Sequence, residues 1–85
     1  MRMSESGIWR WVHPQKRRWY TILLHRDLFG DLVLIRAWGS LDSQRGGEKK
    51  EILEDIGDAE KRLKENRRLR LRHGYRPIQP SQAYS

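Results

Sequence analysis

The side chains in this sequence that can do chemistry are cations and indoles, not nucleophiles. The 85 residues include no cysteine, which removes disulfides, thiolate nucleophiles and thiolate zinc ligation together. A nucleophile would have to be a serine, threonine, lysine or carboxylate, and no G-x-S-x-G elbow occurs in the chain. His13, His25 and His73 lack metal-ligand spacing. Arg45-Gly46-Gly47 ahead of Lys49 has the glycines of a phosphate loop without the G-x-x-x-x-G-K-S/T spacing. The sequence therefore predicts no catalytic residue, no metal and no cofactor.

Charge is the stronger signal. Eighteen Lys and Arg stand against 11 Asp and Glu, a formal net charge of +7, and the isoelectric point is about 10.4. A domain above about 9 has the electrostatic footprint of a polyanion binder. The cations concentrate in Lys16-Arg17-Arg18 and between Lys61 and Arg76. Against phosphates they release counterions and give affinity without reading base sequence. Four tryptophans in so short a chain must mostly supply core bulk. Trp38 is set apart, because it ends a strand beside Gly39, which has no side chain to cover it, and shares a face with Arg36. An indole so placed either packs against its neighbours or forms a platform for a base or sugar, with the arginine on phosphate.

Three alternating segments must position these residues. Ile8 to His13 sets Trp9, Trp11 and His13 on one side and Ile8, Arg10 and Val12 on the other, and Pro14 ends it. Trp19 to Arg26 sets Tyr20, Ile22 and Leu24 on one face; Asp27 to Asp31 reads as a turn, with Gly30 able to take positive φ. Leu32 to Trp38 divides into a row of Val33, Ile35 and Ala37 and a row of Leu32, Leu34, Arg36 and Trp38. Ser40 to Glu48 reads as a loop, and Lys49 to Glu54 as a weakly patterned fourth strand whose charges suit a sheet edge. A helix starts near Ile56, with Asp55 as N-cap and Asp58 three residues on. It runs to the Arg67-Arg68 region or beyond; the alternation from Arg68 to Arg72 fits either more helix or a short extended piece, and Gly74 is a stop. The expected core is Tyr20, Ile22, Leu24, Val33, Ile35, Ala59 and Leu63.

Several of these residues together resemble the WGR domain family. Arg36-Ala37-Trp38-Gly39-Ser40 resembles its R-x-W-G-R signature, Trp19-Tyr20-Thr21-Ile22 its aromatic-Tyr strand start, and Asp27-Leu28-Phe29-Gly30-Asp31 its D-L-F-G turn. The glycine-rich loop, Asp58-Ala59 and the basic run into Gly74-Tyr75 follow in family order, so the resemblance covers about Trp11 to Ile78. It implies a twisted antiparallel sheet with one helix packed on it. It also implies a function. Members occur as short bacterial proteins and inside poly(ADP-ribose) polymerases, where the domain binds DNA at a strand break and the motif tryptophan packs on sugar at the DNA end. That role transfers here to Trp38 alone. Two departures stand out: Ser40 replaces the motif arginine, which in the polymerases contacts DNA and neighbouring domains, and Asp42 replaces a usual glycine.

The expectation is a small α+β protein: a mainly antiparallel sheet with one C-terminal helix, a single domain over 8–78, and flexible ends at 1–7 and 79–85. Its expected partner is nucleic acid, DNA by the resemblance. Trp38, Arg36 and Gly39 form the platform; Arg17, Arg18, Arg45, Lys49, Lys50 and Arg76 are phosphate contacts by charge and position. The alternative is a protein-interaction or homodimerisation module with exposed Trp9 and Trp11 as anchors, since indoles are favoured hot spots. No apolar run approaches the roughly 20 residues of a membrane span, and residues 1–6 lack the apolar core of a signal peptide. A cytoplasmic protein is the expectation, nucleoid-associated if it binds DNA.

Overall fold

The computed structural model describes residues 6–78. The alternating segments become β1 (Gly7–His13), β2 (Arg18–Arg26) and β3 (Leu32–Ser40), paired as an antiparallel meander. β4 (Gly46–Leu53) pairs antiparallel with β3, α1 (Ile56–Arg72) follows, and β5 (Arg76–Ile78) returns beside β1. The strand order is β4-β3-β2-β1-β5, so α1 leaves one edge of the sheet and delivers the chain to the other. A helix of 17 residues is about 25 Å long, enough to cross four strand spacings totalling about 19 Å. The crossing covers one face of the sheet, and among the described residues no element covers the other. This is an α+β fold, and none of its described helices is long and apolar enough to cross a membrane.

Helix and sheet meet through the apolar positions of each. Asp55 caps α1, its Oδ1 accepting from the Asp58 amide at 2.8 Å. One turn and two turns on, Ala59 and Leu63 are buried against Ile22, Leu24, Leu32, Leu34 and Leu53. Glu51 ties the layers from the sheet side: it pairs with Arg36 at 2.9 Å and with Arg62 of α1. The Glu51 carboxylate is the largest influence on Arg62 and raises its pKa further above the ordinary value; partial burial acts the other way, and Asp58 adds to the rise.

Several expectations are corrected. The covered row of β3 is Leu32 and Leu34, not Val33 and Ile35; Val33 is buried and Ile35 half-buried on the opposite face. Both rows of β3 are apolar at their start, so alternation alone could not choose between them. Trp11 is 3% exposed and Trp9 packs partly buried against the core, which removes both as surface anchors. The loop after β3 is shorter than expected, because β4 already begins at Gly46. β5 was not expected at all: it is three residues long and contains Pro77, which only an edge position tolerates. Gly7 belongs to β1 rather than to a loose end. Of the flexible ends expected at 1–7 and 79–85, residues 1–5 and 79–85 lie outside the described residues.

Two glycines exist to admit indoles. A Cβ on Gly39 would stand 2.7 Å from the Trp19 ring on the open face, and one on Gly47 would stand 3.1 Å from the Trp38 ring on the covered face. Gly39→Ala must therefore push Trp19 off the sheet. The expected cost is about 1–3 kcal/mol, the usual range for overpacking, read as a lower denaturant midpoint with an unchanged m-value.

Candidate nucleic-acid interface

The register builds an aromatic row across three strands. Trp11, Tyr20 and Trp38 are successive cross-strand partners, and Gly47 follows on β4. Trp11 meets Tyr20 edge-on at 6.1 Å, and Tyr20 stacks on Trp38 at 6.4 Å with the rings 17° apart. Exposure rises along the row from 3% at Trp11 and 6% at Tyr20 to 41% at Trp38. The row thus begins under the helix and emerges at an indole braced from behind by Tyr20. An aromatic held in that way offers a free edge and part of a face to a ligand without having to be ordered on binding.

Beside this indole lies an open cleft of about 890 Å³. From α1 the cleft is lined by Arg70, and from the segment after it by Tyr75. The helical stripe that buries Ala59 and Leu63 continues in phase to Asn66 and Arg70, and there it becomes polar. Asn66 Oδ1 accepts from the Tyr20 hydroxyl at 3.2 Å. The Arg70 guanidinium sits 4.2 Å from the Tyr20 ring centroid and 5.2 Å from that of Tyr75, a cation between two π-faces. Its Nε is buried without a hydrogen-bond partner among the described residues. Lys16 reaches the cleft from the β1–β2 turn, Arg18 from the first position of β2, and Arg45 from the β3–β4 loop. The two loops are joined: Arg17, in the left-handed region at φ 55°, pairs with Asp42 at 3.0 Å, and its carbonyl accepts from the Leu41 amide at 2.8 Å.

Of the residues expected to bind, Trp38, Gly39, Arg18 and Arg45 come together on this cleft. Arg17 stands at its rim with its charge matched by Asp42. Arg36 shares the covered face with Trp38 but is only 25% exposed in its side chain and paired with Glu51. Lys49 is the register partner of Arg36 at the exposed β4 edge. Lys50 and Arg76 fall on the open face, away from the cleft. Sequence reasoning missed Lys16, Tyr20, Arg70 and Tyr75 as cleft residues. For Arg70 a signal existed: it lies 14 residues after Ile56, four full turns within the same sheet-facing stripe.

The cleft combines a braced indole, four cations and the hydroxyls of Ser40 and Ser43. Such a set, with the Asp42 carboxylate also on the lining, can bind a phosphate-bearing planar group. Among the described residues no group of three or more His, Asp or Glu side chains is placed to hold a metal ion. No family model, no curated protein and no solved structure matches the chain.

Proposed function

We propose that this chain is a non-enzymatic, WGR-like module that binds nucleic acid, with DNA as its ligand, through the cleft beside Trp38. The observation that carries the reading is the convergence of Lys16, Arg18, Arg45 and Arg70 on one exposed indole stacked on Tyr20. Cations from two loops, the start of β2 and a helix neutralise phosphates, and the indole takes a terminal base or sugar. The preference for a strand end over a continuous duplex rests on the WGR resemblance, in which the motif tryptophan packs at a DNA end. The WGR resemblance supports the same ligand, and its implied sheet-plus-helix architecture is that of this chain.

The test is a titration of labelled blunt duplex, nicked duplex, closed circular duplex, single-stranded DNA and RNA at two salt concentrations. The expected result is binding that prefers DNA with a free end. Four phosphate contacts should give a log–log salt slope of roughly −3 to −4. No binding at low salt would refute the reading, and equal affinity for closed circular and blunt DNA would refute its end preference.

A further inference from the structure

We infer that the open face of the sheet is a docking surface for an acidic amphipathic helix of a partner protein. An antiparallel sheet with one face in water ordinarily alternates apolar-in with polar-out. This one does not. Ile8, Leu23 and Ile35 are register partners on the open face, and Trp19, Ile52 and Ile78 share it. Ile8 is 45% exposed, Ile78 46% and Ile52 66%, so apolar side chains stand uncovered at both edges of the sheet. Between those edges Leu23 and Ile35 are partly exposed and Val33 is buried, and apolar surface left uncovered on a sheet face in this way marks an interaction site.

The charges around the patch select the occupant. Arg10, Lys50 and Arg76 are exposed on this face, and Glu48 is its one strand carboxylate. None of the three cations is ion-paired among the described residues. An apolar centre with a cationic rim complements an apolar stripe with acidic flanks. A second copy fits poorly. Each copy carries +7, and a sheet of five strands offers at most about 700 Å², below the roughly 800 Å² per partner of a standard interface. A nucleic-acid backbone would leave the isoleucines uncovered. A single helix matches both dimensions, and α1 already occupies the other face of the same sheet in that manner. A helix of about 14 residues, about 21 Å long, spans the patch. The inference is independent of the cleft; together they describe a module with nucleic acid on one side and protein on the other.

The probes are three synthetic 14-residue peptides titrated into the full chain under NMR observation. One has a Leu/Ile stripe flanked by Glu, one the same stripe flanked by Lys, and one the Glu composition with the stripe scrambled. The expected result is binding of the first, with amide shifts at Leu23, Ile35 and Ile52, and at least tenfold weaker binding of the other two. The double variant Ile8→Ser/Ile52→Ser, which changes exposed positions without altering charge, should lose binding tenfold or more and keep its affinity for DNA. Equal binding of all three peptides, shifts confined to the Trp38 cleft, or sedimentation as a dimer that excludes the peptide would each overturn the inference. Loss of DNA binding with peptide binding intact would refute the proposed function and leave this one standing.

Discussion

Trp38→Ala should weaken binding of end-containing DNA by about tenfold or more while the protein stays folded. Stacking on an aromatic platform contributes about 1–3 kcal/mol per base, and 1.4 kcal/mol is one decade of affinity. The indole is 41% exposed and stands at the outer end of the Trp11–Tyr20–Trp38 row, so its loss exposes Tyr20 without opening the core under α1. The stack with Tyr20 is worth about 0.5–1.5 kcal/mol, which lowers the melting midpoint of a domain this size by roughly 4–8 °C per kcal/mol. Trp38→Phe should recover part of the affinity, because a ring remains on Tyr20. Ser40→Arg adds a cation to the cleft wall and should raise affinity most for DNA with a free end. A Trp38→Ala protein that melts far lower yet binds DNA unchanged would make the indole a packing residue and leave the cations as the only ligand contacts.

What could be read from the sequence follows from where each signal is local. β2 was legible because one row is apolar throughout and the other is interrupted by polar residues: Tyr20, Ile22 and Leu24 against Trp19, Thr21, Leu23 and His25. The start of α1 was legible because a cap and its partner lie three residues apart, at Asp55 and Asp58. β4 was understated because its first residues are glycines, placed there for the approach of the Trp38 backbone and ring and not for strand propensity. The helix runs to Arg72 through the ambiguous Arg68–Arg72 alternation; Leu69 turns partly inward, while Leu71 is 53% exposed. The site divides in the same way. Trp38, Gly39, Arg18 and Arg45 lie on or beside strands whose order was readable. Arg70 and Tyr75 join them only because α1 ends over β1 and β2, and that placement depends on the full crossing from β4 to β5.

The face assignment of β3 carries the second large effect. Leu34→Ala should cost about 2–5 kcal/mol, the range for emptying a packed leucine site. Leu34 is 1% exposed and lies in the cluster with Leu24, Leu32, Leu53 and the α1 residues Ala59 and Leu63. Its loss leaves a void between two layers that cannot both relax toward it. At about 0.05–0.15 kcal/mol per residue, that cost is a large share of the stability of so small a domain, and the variant should be partly unfolded near 37 °C. Ile35→Ala, one residue along the same strand, removes a side chain of equal size from the half-buried open face. It should cost less, about 1–2 kcal/mol, since Ile35 is only partly buried and leaves no closed void between layers. Urea melts of the two variants measure the difference directly. Equal losses, or a greater loss at Ile35, would mean that the open face is packed as a second core. The sheet would then be buried on both sides in solution, and no helix from a partner could dock there.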